Sequence, residues 1–124
     1  MQRGEINIYF NGCTGLDGTA VFSALQTVTS SINFSGCTSL SGITLENCVI
    51  SATNLSKFNL TNTGITTVDL SGSELSGTLN MTSLTNLTTL ILTGCTGTSE
   101  LKLHTSRQGL VNITNKPADV TIIY

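Results

Sequence analysis

The sequence has little charge and few of the features that mark nucleic-acid binding, membrane insertion or export. Only 10% of its 124 residues are charged, against roughly 25% in an ordinary soluble domain. Its five cations are scattered and supply no basic patch of the kind that dominates electrostatic nucleic-acid binding. No apolar run approaches the roughly 18 residues of a membrane helix, and the N-terminus has no apolar signal-peptide region. We therefore expect no nucleic-acid partner, no membrane insertion and no signal-directed export.

The chain also lacks the residue groups on which metal binding and most catalysis depend. Its four cysteines include no C-x-x-C pair, so zinc binding has no support. His104 is the sole histidine, and Glu100 and Ser106 nearby in the sequence do not complete a nucleophile, base and orienting carboxylate. A solvated surface residue is the preferred interpretation of His104. The sequence therefore predicts no enzyme activity, no metal and no cofactor.

Threonine, serine and asparagine are abundant instead, with 22, 14 and 11 residues, and they accompany a short repeated pattern. Similar strings lie at 11–15, 35–39, 46–50 and 93–97, each around a cysteine and each preceded by an alternating pair of apolar residues. We call the cysteine position the marker, and the apolar pair lies five and three residues before it. Markers recur at positions 13, 24, 37, 48, 63, 73, 84, 95, 106 and 116, so the period is close to eleven.

This pattern predicts short β-strands with one buried face. Nineteen of the twenty pair positions are apolar, Thr19 being the exception, whereas only four of the twenty interleaved positions are. The same strand returns in the same phase, which favours a coiling chain over antiparallel hairpins with two-residue turns. We predict a mainly β fold, a single right-handed parallel β-solenoid over residues 1–124 with about 22 residues in each coil. Residues 117–124 could form a C-terminal cap strand.

Two segments match a known repeat signature, L-x-x-L-x-L-x-x-N/C-x-L. They are residues 55–65 and 65–75, with Thr63 and Ser73 at the N/C position. Residues 84–95 are similar to the 22-residue bacterial variety. The chain thus resembles the leucine-rich repeat family over roughly residues 20–106, although here the signature returns after ten or eleven residues. The resemblance implies a fold and a binding surface but no particular chemistry. The short return departs from the family pattern and favours a compact two-sided solenoid over a regular horseshoe.

The marker coincides with the N/C position of that signature, where family members carry a side chain that turns inward at a strand end. The resemblance therefore implies a structural ladder, with these members: Cys13, Cys37, Cys48, Thr63, Ser73, Cys95 and Ser106. Cys13 and Cys37 would lie on neighbouring coils, so a disulfide between them is an alternative. Without a signal peptide we expect reduced thiols.

Residues 17–29 carry the weakest copy of the pattern and allow a second interpretation. Phe22, Leu25 and Val28 are spaced by three, and Asp17 could cap a short helix. We therefore favour one short helix near residues 18–28 over a strand there.

The outward positions of alternate units form a neutral column of hydrogen-bonding groups. The predicted binding face consists of Asn33, Ser35, Asn59, Thr61, Asn80, Thr82, Lys102 and His104. Such a face could bind a surface glycan or another protein, and the alternative is the plain surface of a structural repeat. Six Asn-x-Ser/Thr sequences also match the glycosylation signal, at Asn33, Asn54, Asn59, Asn80, Asn86 and Asn112. A chain so rich in serine and threonine contains several of these by accident.

The two ends predict how such a module would be used. Apolar pairs begin at Ile8 and continue to the apolar residues 120–124, so edge strands and weak charge repulsion favour docking of the ends onto a protein partner or a second copy. Charge-poor solenoids rich in Ser, Thr, Asn and Gly resemble parts of bacteriophage fibres, tails and head decorations, and also bacterial adhesins. We expect a non-enzymatic structural or interaction module of a phage virion, located in the virion or the cytoplasm. A carbohydrate- or host-binding adhesin is the alternative, followed by an ice-binding solenoid or a small β-helix enzyme.

Overall fold

The alternating pattern folds as a parallel β-solenoid, as predicted. A computed structural model describes residues 7–124, which form about five coils of about 23 residues each. The chain is mainly β, and all its strand pairs are parallel. Because successive strands on one side come from successive coils, residues more than twenty positions apart become direct neighbours.

Thirteen short strands and one α-helix make up the coils. In chain order they are β1 (Ile8–Tyr9), β2 (Gly18–Ser23), β3 (Ile32–Asn33), β4 (Leu40–Glu46), β5 (Val49–Ile50), α1 (Ala52–Ser56), β6 (Phe58–Asn59), β7 (Thr67–Asp69), β8 (Glu74–Leu75), β9 (Gly77–Met81), β10 (Thr89–Ile91), β11 (Ser99–Leu103), β12 (Asn112–Thr114) and β13 (Val120–Ile123). A 3₁₀ turn, Thr105–Arg107, follows β11.

The strands stack into two sides of the solenoid. One side is a five-stranded sheet in the order β12-β10-β7-β4-β2. The other side consists of two three-stranded sheets, β1-β3-β6 and β13-β11-β9, and a short corner sheet pairs β5 with β8. Helix α1 lies at the junction of the two three-stranded sheets, where a Cβ on Gly77 of β9 would be 3.7 Å from Ala52 Cβ.

The predicted apolar pairs form one continuous core. In the five-stranded sheet, strand register places Ile43, Val68, Leu90 and Ile113 in a single inward column. The core side chains of the middle coils are fully buried, since Leu79, Leu90 and Leu101 are 0% exposed. The first coils use aromatic rings instead, with the Phe10 and Phe34 rings stacked at 5.3 Å and the Phe22 and Phe58 rings edge-to-face at 5.3 Å. Burial of this column stabilises the coils against one another.

The residue just before the marker turns the chain out of each strand. At seven of the ten units this residue has a positive φ between 53° and 77°, a conformation that glycine and asparagine adopt most readily. These residues are Gly12, Gly36, Asn47, Asn62, Gly72, Gly94 and Asn115. The recurring Gly-Cys and Asn-Cys pairs of the sequence are therefore the corners of the solenoid.

The predicted helix near residues 18–28 is wrong. Gly18–Ser23 forms strand β2, which pairs with β4, and the register shifts between Gly18 and Thr19. This shift turns Ala20 and Phe22 inward and leaves Val21 60% exposed, so the inward pair is not the predicted Thr19 and Val21. Pairing along a whole neighbouring strand outweighs the local three-residue spacing of apolar residues.

Within residues 7–124, the one α-helix lies instead at Ala52–Ser56, between β5 and β6. Ser51 caps its first turn, because the Ser51 hydroxyl oxygen accepts the Asn54 N–H at 3.1 Å.

At the C-terminal end of the chain, the predicted cap segment contains β13, which pairs with β11 as the last strand of its side. Among the residues that the structure describes, no helix is long and apolar enough to cross a membrane.

Candidate functional site

The structure divides the predicted binding face into two groups. Asn33 and Asn59 are direct neighbours across β3 and β6, and Ser35 and Thr61 follow them at the ends of these strands. Asn80 and Lys102 are direct neighbours across β9 and β11, with Thr82 and His104 after them. Strands β6 and β9 belong to different sheets, so the eight residues do not form one regular column.

The asparagines of this face support their own backbone. Asn33 Oδ1 accepts the Ser35 N–H at 2.9 Å, and Asn59 Oδ1 accepts the Thr61 N–H at 3.1 Å. Asn80 Oδ1 accepts both the N–H of Thr82 at 2.9 Å and its hydroxyl at 2.7 Å. Asparagine forms such turns with the residue two positions later, at the point where a strand ends. The Asn-x-Ser/Thr spacing at Asn33, Asn59 and Asn80 is therefore a strand-end turn motif.

These turns leave the amide nitrogens of the same side chains for other partners. Within residues 7–124, the Nδ2 groups of Asn33, Asn59 and Asn80 donate no hydrogen bond to the protein. Asn59 and Asn80 are exposed and Asn33 is half-buried. The face therefore presents neutral donors at strand ends, which suit an oxygen acceptor on a sugar or a protein.

Marker side chains connect consecutive coils through hydrogen bonds. Four of them donate to a backbone carbonyl oxygen of the preceding coil. In three cases the carbonyl belongs to the second residue of the apolar pair, and in the fourth it belongs to Phe22 of β2. These pairs are Cys37 Sγ with Phe10 O (2.9 Å), Cys48 Sγ with Phe22 O (3.7 Å), Ser73 Oγ with Leu45 O (2.7 Å) and Cys95 Sγ with Leu70 O (3.0 Å). Because the four side chains are at most 8% exposed, water cannot replace these bonds.

The ladder departs from its expected form at three other markers. Cys13 belongs to the first coil and is exposed. Thr63 is half-buried and donates to Leu60 O of its own coil at 3.0 Å. Ser106 is exposed beside His104, whose Nδ1 accepts the Ser106 N–H at 3.1 Å. The sequence does not distinguish these members, because whether a carbonyl lies opposite each marker depends on the coil that precedes it.

All four cysteines are free thiols, so Cys13 and Cys37 are not bridged. Burial raises the pKa of the Cys95 thiol, and the Asp69 carboxylate raises it further. Backbone N–H groups of Ser73 and Gly72 act in the opposite direction but do not outweigh burial. Cys95 is therefore a protonated donor in the ladder at neutral pH.

A second ladder, which the sequence analysis did not find, runs along the start of the five-stranded sheet. Ser41 Oγ donates to Gly18 O at 3.1 Å, Thr66 Oγ1 to Ser41 O at 3.3 Å, and Thr88 Oγ1 to Thr66 O at 3.3 Å. Each hydroxyl stands seven residues before a marker, at 48, 73 and 95, so this spacing was a signal that could have revealed it. Part of the hydroxyl content therefore serves contacts between coils.

The sequence analysis also missed the structural role of Asn54. It is 8% exposed, and its Nδ2 group donates to Gln26 O at 3.1 Å and to Val49 O at 2.9 Å. Its Oδ1 accepts the Val28 N–H at 3.2 Å. Two of these bonds thus hold the strand-free segment after β2 against helix α1, and the third joins the helix to β5. The Asn54-x-Ser sequence marks a buried structural residue.

The groups considered for chemistry are not brought together. His104 Nδ1 lies 2.8 Å from Ser106 Oγ, whereas the Glu100 carboxylate accepts the Thr78 hydroxyl at 3.2 Å. Within the described chain, no three His, Cys, Asp or Glu residues are grouped so that they could hold a metal ion.

At both ends of the solenoid the core-facing side chains are partly exposed, whereas the equivalent side chains of the middle coils are buried. At the first coil, an open cleft of about 450 Å³ is lined by Ile8, Phe22, Leu25, Val28 and Ile32, among others. At the last coil, Ile113 and Ile122 are only half-buried, whereas Leu90 and Leu101, their register partners, are 0% exposed. Leu110 is 57% exposed.

Comparisons with known proteins assign no family to the chain. A scan against protein-family models found no match, and searches of curated proteins and of solved structures found none either.

Proposed function

We propose that the chain is a non-enzymatic structural and interaction module that docks through the ends of its solenoid. The observation that carries this proposal is the contrast between sealed middle coils and open end coils. Leu90 is 0% exposed, whereas its register partner Ile113 at the end is half-buried. Phe22 in the first strand of the same sheet is half-buried, whereas its register partner Leu45 is 3% exposed. Unpaired strand edges beside exposed apolar side chains favour association with another chain.

Charge supports the same proposal. The formal net charge is −2, which gives little repulsion between molecules that approach end to end. Many hydroxyl and thiol groups are used in the two ladders, and this is a structural use of residues that could otherwise serve as nucleophiles. The proposed module is therefore a weakly charged stack of coils that associates through its ends.

A phage particle is the setting that we propose for this module, as part of a fibre, tail or head decoration in the virion or the infected cytoplasm. The support is the resemblance of charge-poor, hydroxyl-rich solenoids to such parts, together with free thiols that need no oxidising compartment. We also propose that the solenoid is of the leucine-rich-repeat type, since the N/C position of that signature coincides with the ladder residue Ser73. Neighbouring genes that encode capsid or tail proteins would support this setting, and a neighbourhood of metabolic genes would contradict it.

Static light scattering of the isolated chain tests docking through the ends. We expect the average mass to rise above 13.0 kDa with increasing concentration. Val21→Lys adds a charge to the edge strand β2 and should reduce association at least tenfold. Thr44→Lys is the matched control, because Thr44 is the register partner of Val21 on the inner strand β4. A soluble monomer at high concentration, or equal effects of the two substitutions, would contradict docking through the ends.

A bacterial adhesin that binds surface glycans is the second candidate, and the free Nδ2 groups of the binding face favour it. A glycan array would give saturable binding that Asn59→Ala or Asn80→Ala removes. Because Oδ1 of both residues supports a turn, Asn80→Asp is a useful control that keeps the acceptor and loses the amide donors. Binding that survives Asn80→Asp would exclude these donors as the recognition groups.

A further inference from the structure

Asn33 and Asn59 form a pair of equivalent side chains on the outer face of β3 and β6. The register of the two strands makes them direct neighbours. Each makes the same turn, because its Oδ1 accepts the N–H of the residue two positions later, Ser35 at 2.9 Å and Thr61 at 3.1 Å. Side chains held in the same turn on stacked strands point the same way and lie about 4.8 Å apart. Both carboxamides are therefore fixed before a ligand arrives.

This pair offers hydrogen-bond donors on a face that has no acidic residue. Each Oδ1 already accepts a bond, whereas within residues 7–124 neither Nδ2 group donates one to the protein. No Asp or Glu occurs in 7–13, 31–37 or 57–63, the segments that contain β1, β3 and β6. Lys57 is the one charged residue of these segments. The charge and the donors of this face therefore suit an anionic acceptor.

The spacing of the two amides matches a carboxylate. Donors about 4.8 Å apart fit the two oxygens of one carboxylate, each oxygen accepting one N–H at about 2.9 Å. Hydrogen bonds to an ionised acceptor are roughly twice as strong as those between neutral groups. Asn80 makes the same turn, but its neighbour on β11 is Lys102. A pair of equivalent amides therefore occurs once on the predicted binding face.

Tyr9 continues the row of the two asparagines. It is the register partner of Asn33 on β1, and it is 63% exposed. The face of an aromatic ring carries partial negative charge and attracts the C–H groups of a sugar ring. Tyr9 lies about one and a half strand spacings, about 7 Å, from the midpoint of the amide pair. A carboxylate on the amides and a sugar ring on Tyr9 are therefore within reach of one disaccharide.

From this row we infer that Tyr9, Asn33 and Asn59 bind a carboxylated sugar of a surface glycan. The inference rests on the second candidate function, glycan binding, and names the class of sugar and its site. The carboxylate accepts one N–H from each amide, and a pyranose ring packs on Tyr9. All three side chains point away from the stack, so a bound sugar does not compete with docking through the ends.

Isothermal titration calorimetry with the full chain tests the class of sugar. The probes are disaccharides and trisaccharides that contain a uronic or sialic acid, together with the methyl esters of the same sugars. The esters keep every ring and lose the negative charge. At least one acid should bind saturably with one site per chain, and its ester should bind at least tenfold more weakly. Equal binding of acid and ester would overturn the inference, and so would equal binding of a peptide rich in Asp and Glu.

Aspartate variants locate the carboxylate. Asn33→Asp and Asn59→Asp keep an acceptor for the turn, as the chain itself shows at Asp69, whose Oδ1 accepts the Ser71 N–H at 3.0 Å. Each variant replaces the amide donors by a negative charge, so the acidic sugar should bind at least tenfold more weakly. Asn112→Asp is the matched control, because it makes the same change at an exposed position of β12, on the five-stranded sheet. It should bind the sugar within twofold of the wild type.

Tyr9 variants test the contact with the sugar ring. Tyr9→Ala should weaken binding at least fivefold, whereas Tyr9→Phe keeps the ring and should weaken it no more than threefold. Unchanged urea midpoints would show that the variants fold. Full binding by Tyr9→Ala, or by either aspartate variant of the amide pair, would overturn this site.

The remaining outcomes separate this inference from the proposals on which it builds. If neutral or only sulfated glycans bind while the carboxylated sugars do not, this inference fails and glycan binding stands. If no glycan binds, the inference and the second candidate function fail together. Docking through the ends is judged independently by light scattering, since the three side chains of the site lie on the side of the stack.

Discussion

Ser73→Ala is the most direct test of the ladder between coils. Ser73 is 0% exposed, and its hydroxyl donates to Leu45 O at 2.7 Å and accepts the Cys48 N–H at 3.0 Å. Alanine removes both bonds and leaves a buried carbonyl and a buried N–H without partners. Leu45 and Cys48 are each 3% exposed, so bulk water does not reach these groups.

The expected loss of stability follows from these two groups. Each unsatisfied buried polar group costs about 1–3 kcal/mol, which gives about 2–6 kcal/mol for Ser73→Ala. A chain of this size has a free energy of unfolding of roughly 6–19 kcal/mol at about 0.05–0.15 kcal/mol per residue. The substitution therefore removes a large fraction of the total. Urea unfolding followed by circular dichroism measures it.

Two further variants separate the hydrogen bonds from other effects of the change. Ser73→Cys keeps a donor of the kind that Cys48 and Cys95 supply at the same position of other coils, so it should cost less than Ser73→Ala. Ser76→Ala removes an exposed hydroxyl three residues away and should change stability by less than about 0.5 kcal/mol. If Ser73→Ala costs no more than Ser76→Ala, the ladder does not stabilise the stack and the reasoning is refuted.

Three other substitutions test other parts of the fold, all by urea unfolding. Gly97→Ala should cost about 1–3 kcal/mol more than Gly109→Ala. Both glycines have a positive φ, +89° and +78°, but only at Gly97 would the new Cβ overlap a carbonyl oxygen of the preceding coil. Equal losses of stability in the two variants would contradict this. Asn54→Ala should cost about 3 kcal/mol or more because it leaves two carbonyls and one N–H unpaired, whereas exposed Asn86→Ala should be nearly neutral. Burial raises the pKa of Cys95 in the folded chain, so the unfolded chain loses this proton first and stability falls as pH rises through the ordinary thiol range. Cys95→Ser should flatten that fall, and an unchanged slope would count against a buried, protonated thiol.

The sequence predicted the middle coils because each strand there obeys a local rule. Alternation of side chains is a property of the strand itself, so pairs such as Val68 and Leu70 were assigned to the core without knowledge of their neighbours. Recurrence in one phase then distinguished winding from hairpins. Both inferences use residues within one unit or at a fixed period.

The failures share a dependence on contacts more than twenty residues away. The inward turn of Phe22 follows from a register shift against β4, and no local feature of residues 18–23 shows that shift. Asn54 lies within a repeat-like segment, and its role depends on the carbonyl of Gln26 and the N–H of Val28. The three-residue spacing that favoured a helix was real, but it did not outweigh six paired residues in β2.

Hydroxyl abundance has a structural explanation that bears on function. Thr66 and Thr88 each donate to the coil before them, and Ser73 does so from the buried side of the strand end. A solenoid with so few charges needs such bonds, because short strands of two to seven residues pair few backbone groups in each coil. Hydroxyl groups that donate to the preceding coil, such as those of Thr66, Thr88 and Ser73, are not available to bind a ligand. These hydroxyls therefore hold the stack together, which agrees with the proposed docking through the ends and leaves the amide groups of Asn59 and Asn80 as the candidate ligand donors along its length.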